Sequence, residues 1–197
     1  MKIYFLRHGA TKGNLEHRYV GITDEGLLAE SKRSIKVKRM RELKIMQEAE
    51  KVFVSPRKRC VETAELLYPG KKQIVVEEFQ ECDFGEFEYK NYGELNGDPR
   101  YQRFIDTQGR SGFPGGENRE VFQRRCVRGM EKILRAEENA DKTLAVIVHG
   151  GTIMAILDHY STPHRDYYDW QVGAAEGFLV QAEKTEGVWQ FCKIRKL

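Results

Sequence analysis

Three short stretches of the chain carry side chains suited to holding an anion. Arg7, His8 and Gly9 follow one another near the start, Ser55, Pro56, Arg57, Lys58 and Arg59 form a basic cluster, and His149, Gly150 and Gly151 stand together late in the sequence. Singly each is weak, because a histidine after an apolar run is more often a hydrogen-bonded structural residue and a basic cluster more often a solvated helix turn. Brought together they would set at least two guanidiniums and two imidazoles around one point. Planar guanidiniums offer paired donors that match phosphate oxygens, which an ammonium cannot do. The chemistry that suits such a set is phosphoryl transfer, in which a protein mainly positions groups and stabilises charge spread over the equatorial oxygens. Six carboxylates, Glu77, Glu78, Glu81, Asp83, Glu86 and Glu88, lie near one another in the chain. By type alone, any of them could give a proton to a departing alkoxide.

Periodicity indicates the elements that must position these groups. Aliphatic, strand-like segments recur at Lys2 to Leu6, Lys51 to Val54, Gln73 to Val76, Thr143 to Val148, Gly177 to Ala182 and Val188 to Lys193. Between them, stretches of helical period set Leu28, Ile35, Leu43 and Met46 on one face, as they do Cys60, Ala64 and Leu67, and Phe122, Cys126, Met130 and Ile133. This alternation predicts an α/β fold, a three-layer α/β/α sandwich with a mostly parallel central sheet. Ligands of such sheets gather at the carboxyl edge of the strands, and all three anion-suited stretches follow a predicted strand. Ser55 with Pro56 reads as an N-cap and first-turn pair, and Asn118 as the cap of the helix carrying Phe122. Basic residues in a first turn oppose the helix dipole, and an anion in front of that helix would reconcile them. Residues from about 82 to 117 are crowded with Gly, Pro and aromatics and read as an excursion covering the site within one domain spanning 1–197.

Composition narrows the classes further. Apolar residues at 40% and charged residues at 32% describe a globular chain that buries a core. A net charge of +3 is too small to argue for nucleic acid or an anionic membrane as partner, and a small anionic substrate fits it. Neither a P-loop nor a glycine fingerprint after the first strand is present. The apolar stretch in "MKIYFL" is far shorter than an export or spanning segment, so a cytoplasmic protein is expected. Cys60, Cys82, Cys126 and Cys192 are scattered without metal-ligand spacing and read as small core or semi-buried thiols, with no metal or other cofactor expected.

"RHGATKGN" resembles the R-H-G-x-T-x-x-N signature of the histidine phosphatase superfamily, the group that contains cofactor-dependent phosphoglycerate mutase, fructose-2,6-bisphosphatase and alpha-ribazole phosphatase. "SPRKRCVETA" resembles its S-P-x-x-R-x-x-x-T-A segment, "ECDFGEFE" its E-x-D-F-G-x-W-E segment, "PGGEN" its P-G-G-E-S segment and "VIVHGGTI" its closing V-x-H-G-G. The matches keep the family's order from residue 7 to residue 152. The resemblance implies a phosphoglycerate mutase-like fold and a metal-independent phosphomonoester hydrolase working through a phosphohistidine. It makes His8 the nucleophile and, among the six carboxylates, Glu81 the general acid, with Asp83 in reserve. It gives the transferring phosphoryl group to Arg7, Arg59 and His149, adds Asn14 and Gly150 as substrate contacts, and gives Thr11 a part in ordering the loop. Cationic neighbours would hold His8 neutral, and its second ring nitrogen would donate to an acceptor such as a backbone carbonyl.

Arg57 stands where the family often has leucine, Phe87 where it often has tryptophan and Tyr89 where glycine is common. These departures bear on substrate choice, since none falls on the phosphoryl-binding groups. The excursion is shorter than in the phosphoglycerate mutases of the family, so water should reach the phosphohistidine and hydrolysis is expected. "ECDFGEFE" with "PGGEN" looks most like the alpha-ribazole phosphatases of cobalamin assembly, which implies a small phosphorylated metabolite such as alpha-ribazole 5'-phosphate. Phe84, Phe87, Tyr89, Tyr92, Tyr101, Phe104 and Phe113 would either wall the substrate pocket or pack the excursion onto the sheet. Phosphoglycerate mutase-type transfer and a non-catalytic phosphate-binding module are the alternatives.

Overall fold

The computed structural model describes residues 1–42, 48–138 and 142–197. Its elements are β1 (Lys2–Arg7), α1 (Lys12–Leu15), α2 (Ala29–Glu42), β2 (Lys51–Val54), α3 (Lys58–Leu67), β3 (Gln73–Val75), α4 (Tyr92–Leu95), α5 (Pro99–Asp106), α6 (Arg119–Ala136), β4 (Thr143–Val148), α7 (Gly150–Tyr160), β5 (Gly177–Thr185) and β6 (Val188–Lys196), with short 3-10 turns between some of them. Among the described residues the strands form one sheet in the order β3-β2-β4-β1-β5-β6. β1 to β4 run parallel, and β5 and β6 close the sheet antiparallel.

Apart from their polar end residues β1 and β4 run as continuous apolar, buried residues, Ile3 to Leu6 and Leu144 to Val148, as strands covered on both faces do. Ile3, Phe5, Phe53, Val146 and Val148 enter one core, which Phe122, Cys126, Met130 and Ile133 of α6 and Ile153, Ile156 and Leu157 of α7 complete. Tyr4, Leu6, Val52, Val54, Ala145 and Ile147 enter the other, facing Ile35 of α2 and Cys60, Ala64 and Leu67 of α3. The alternation of strand side chains thus feeds two cores, and the three-layer arrangement expected from periodicity is present. Leu43 and Met46, expected on the face of the second helix, lie outside the described residues. Cys60, Cys82 and Cys126 are buried, Cys192 is half-buried, and all four are free thiols. Among the described residues no helix is long and apolar enough to cross a membrane.

Of the two expected caps, one holds. Asn118 accepts a hydrogen bond from the Val121 amide at 2.8 Å and starts α6. Ser55 does not cap α3: the helix begins at Lys58, with Arg57 at the cap position and no side-chain bond. The Ser55 hydroxyl instead bonds a ring nitrogen of His149 at 2.8 Å and accepts from the Arg57 amide at 3.4 Å, one residue ahead of the helix.

Residues 82–117 hold no strand and are built from turns, α4 and α5. They are tied to the loop after α1, where the Tyr89 amide donates to the Tyr19 carbonyl at 2.7 Å and the Tyr19 amide to the Lys90 carbonyl at 2.9 Å. Rings extend the tie, with Tyr19 and Phe84 at 5.1 Å, Phe84 and Phe113 at 4.9 Å, and Phe104 and Phe113 at 4.3 Å between centroids.

Candidate active site

The carboxyl ends of β1, β2 and β4 lie side by side, so the residues that follow them meet. His8 is fastened to its neighbours by main-chain bonds, its amide donating to the Val148 carbonyl at 2.9 Å and its carbonyl accepting from the Ala175 amide at 3.1 Å. Its ring stands edge-on to that of His149, with centroids 5.1 Å apart. Nδ1 of His8 lies 2.7 Å from the Gly9 carbonyl. A carbonyl oxygen can only accept, so Nδ1 carries the proton and Nε2 presents a lone pair. Burial, then the charges of Arg59 and Arg7, hold this imidazole well below its ordinary 6.5, against the opposing pull of the Gly9 carbonyl. Cationic neighbours were the expected cause; they contribute, and burial leads.

His149 and Arg59 are both 0% exposed. Nε of Arg59 donates to Nδ1 of His149 at 3.3 Å, so His149 carries its proton on Nε2 and donates it to Ser55. Burial, then the charges of Arg59 and its neighbours, keep His149 neutral as well. The rest of the Arg59 guanidinium donates to the main-chain carbonyls of Val20, Gly21 and Thr23 at 2.8–3.1 Å. Arg7 donates through Nη1 to the Val172 carbonyl at 2.7 Å, while its buried Nε has no partner among the described residues. α7 begins at Gly150 with no capping bond from the His149 side chain, and its positive N-terminal end faces the site, where the Gly151 amide donates to Glu81.

Arg7, Glu81, Gly150 and Gly151 line a cavity of about 680 Å³, whereas His8, Arg59 and His149 lie buried and are not among its lining residues. Glu81 accepts from the Cys82 amide at 3.0 Å and the Gly151 amide at 3.4 Å. Burial raises its carboxyl above the ordinary 4.5, and the two amides with Arg59 and Arg7 only partly offset this. A Cβ on Gly151 would sit 2.4 Å from Oε1 of Glu81 and 3.2 Å from the Phe122 ring, so a side chain there would displace the carboxyl. The other five carboxylates are engaged elsewhere. Glu78 pairs with Lys132, Glu86 with Arg100, Glu77 accepts from Gln80, Asp83 from the Gly85 amide, and Glu88 from the amides of Gly21 and Thr23. None of the five lines the cavity.

Thr11 and Asn14 do not line it either. They form a reciprocal cap of α1, the Thr11 amide donating to Oδ1 of Asn14 at 3.3 Å and the Asn14 amide to the Thr11 hydroxyl at 3.4 Å. The aromatics divide. Phe84, Phe104 and Phe113 line the cavity, Phe87 and Tyr101 pack behind them, Tyr89 bonds Glu25, and Tyr92 is 68% exposed. Tyr19, Arg119 and Tyr167 are lining residues that sequence reading did not single out. Arg119 lays its guanidinium over the Tyr167 ring at 4.2 Å. Their positions in loops and a helix start carry no periodicity by which to find them.

A family model, the histidine phosphatase superfamily (branch 1), matches residues 3–194. The uncharacterized phosphatase PhoE of Bacillus subtilis is 28% identical over 162 residues, which cover 81% of this chain and 77% of that protein. A 2,3-bisphosphoglycerate-dependent phosphoglycerate mutase of Gloeobacter violaceus is 27% identical over 196 residues, covering 93% and 87%. Among solved structures, the alpha-ribazole phosphatase of Shigella flexneri superposes with a TM-score of 0.81 at 17% identity, over 97% of this chain and 94% of that one, a likeness of fold.

Proposed function

The chain belongs to the histidine phosphatase superfamily, branch 1, as an enzyme of the phosphatase kind, and on that premise we propose that it hydrolyses a small phosphomonoester without a metal through phosphorylated His8. The observation that carries this reading is the tautomer of His8. With Nδ1–H held on the Gly9 carbonyl, the Nε2 lone pair is free to attack at neutral pH. Attack on phosphorus breaks the bond to the leaving oxygen, which keeps the electron pair and takes a proton from the Glu81 carboxyl. The ring gains positive charge as it is phosphorylated, and the bond to Gly9 strengthens. Water then attacks phosphorus and gives a proton to the Glu81 carboxylate, the N–P electron pair returns to Nε2, and inorganic phosphate leaves.

Arg7, with a buried donor that lacks a protein partner, and the amide end of α7 at Gly150 bind the phosphoryl oxygens; Arg59 adds its charge, and His149 joins them when its Nε2–H turns from Ser55 to the phosphoryl group. Thr11 and Asn14 act one step away, by ordering the loop that follows His8. The whole of 1–197 works as one catalytic domain, with 82–117 as the cover of its site.

Tyr19, Phe84, Phe104 and Phe113 favour a leaving group with a flat, apolar body, and alpha-ribazole 5'-phosphate is the candidate substrate in cobalamin assembly. Such metabolites are cytoplasmic, and this reading sets the enzyme there. Hydrolysis needs water at phosphorus, and the cavity lined by Arg7 and Glu81 is its route in this reading, with Ile105 and Tyr168 on the wall 48% and 44% exposed. One observation favours a second reading, transfer between phosphoglycerates: the nearly full-length likeness to the Gloeobacter mutase.

The test is hydrolysis of p-nitrophenyl phosphate with chelator present, from pH 5 to 8, by wild type and His8→Ala. Turnover by the first, with an acid-labile phosphoryl label that the second lacks, is expected. Inactivity of folded wild type would mark a non-catalytic phosphate-binding module. A screen of phosphorylated metabolites then assigns the substrate, and phosphoglycerate interconversion dependent on a bisphosphate primer would favour the mutase.

A further inference from the structure

Glu81 lies in irregular backbone, for residues 80–84 belong to no helix or strand. A proton donor must keep its place to within a fraction of an ångström, and where no regular hydrogen-bond ladder fixes it, side chains have to. Arg125, from the second turn of α6, does so. Nη1 donates to the carbonyls of Glu78 at 2.9 Å and Gln80 at 3.0 Å, and Nη2 to the carbonyl of Glu81 itself at 3.3 Å. The remaining edge grips Glu117 in two bonds, Nε to Oε1 at 2.9 Å and Nη2 to Oε2 at 2.6 Å. All five N–H groups of the guanidinium are thereby engaged, and a lysine has only three.

Glu117 carries the hold to the other side of Glu81. Its Oε2 accepts from the Asp83 amide at 3.0 Å, and its own amide donates to the Asp83 carbonyl at 2.9 Å. A Cβ on Gly116 would lie 2.3 Å from that carbonyl, so the glycine before Glu117 is what lets the two segments meet. The main chain is fastened at 78, 80 and 81 by one partner and at 83 by the other. Arg125 and Glu117 are 20% and 17% exposed, and the Arg125 head rests 5.3 Å from the ring of Phe122, which lines the cavity beside Gly151. Neither member of the pair is among the residues lining the cavity.

We infer that Arg125 and Glu117 form a positioning pair that aims the Glu81 carboxyl at the leaving oxygen, so that their loss impairs proton donation ahead of phosphoryl binding. The inference rests on Glu81 being the general acid. Two substrates read it: p-nitrophenyl phosphate, whose leaving group departs without a proton, and glycerol 1-phosphate, whose alkoxide needs one. Glu81→Gln, measured first, should lower kcat on glycerol 1-phosphate far more than on p-nitrophenyl phosphate. Arg125→Lys and Glu117→Gln should show the same bias, with kcat on the alkyl ester falling about 10- to 100-fold further than on the aryl ester.

Equal losses on both esters for Arg125→Lys and Glu117→Gln, with Glu81→Gln still selective, would overturn the positioning role and leave the acid assignment standing. No selectivity in Glu81→Gln would overturn the acid assignment and this inference with it. Should Arg125→Lys fail to fold, the isosteric Glu117→Gln carries the comparison alone.

Discussion

His8 and Glu81 are pushed in opposite directions by the same enclosure. Burial discourages charge on either, which lowers the imidazole and raises the carboxyl, the direction the proposed mechanism needs of each. For an alkyl phosphate this fixes the sense of the pH profile. Activity rises with pH as His8 loses its proton, at a value below 6.5, and falls again as Glu81 loses its own, at a value above 4.5. Initial rates of kcat/KM on glycerol 1-phosphate should trace that bell. Glu81→Gln should remove the descending limb and leave the ascending one, and an unaltered descending limb would hand the acid role to another group. The signal for Glu81 in the sequence is its register in a family motif, since six neighbouring carboxylates are alike by type. What separates them in space is where each one's partner stands, and those partners, Lys132 for Glu78 or the Gly85 amide for Asp83, depend on folding.

At the scale of elements, the start of α7 is the most tightly constrained piece of the site. Gly151→Ala adds a methyl group 2.4 Å from Oε1 of Glu81 and 3.2 Å from the Phe122 ring, at a helical position where alanine is intrinsically the better residue by up to about 1 kcal/mol. Thermal stability should therefore change little, while turnover of an alkyl phosphate drops by about 10²-fold through displacement of the acid. Parallel melting and kinetic measurements check this, and a variant with unimpaired kcat would show that the carboxyl can move aside. The strands and the buried faces of α3 and α6 are legible in the sequence, because apolar side chains recur at the periods those elements impose. Ser55 was misleading for a physical reason. Serine before proline suits a helix cap, yet α3 starts only at Lys58, and the hydroxyl bonds the Arg57 amide ahead of it and His149 from 94 residues away. The walls of the cavity were half legible for a similar reason: Phe84 and Phe87 are three residues apart in one turn, and only the fold sends the first to the cavity and the second behind it.

For the molecule as a whole, two neutral histidines inside the protein link stability to pH. In the unfolded chain both titrate near 6.5, and in the folded chain both lie well below it. Their contribution is complete above 6.5 and is lost as pH falls through that value toward the folded ones, because the unfolded chain takes up protons that the native one refuses. Each contributes a slope of about 1.4 kcal/mol per pH unit over that window. Glu81 acts with the opposite sign, its stabilisation being present below 4.5 and lost as pH rises through its folded value. Urea denaturation between pH 7 and 5 should show stability falling with pH, and His8→Gln should flatten the fall by about half; an unchanged slope would mean that His8 is charged when folded. The order of the sheet has a further consequence for how this chain comes into being. β1 and β2 touch only through β4, which is made nearly a hundred residues after β2. Until the ribosome has delivered Thr143 to His149, the earliest two strands lack the one that pairs with both, and the second imidazole of the site does not yet exist. Assembly of the sheet and birth of the catalytic pocket are thus a single late event, so an immature chain carries no half-built phosphatase able to act before its time.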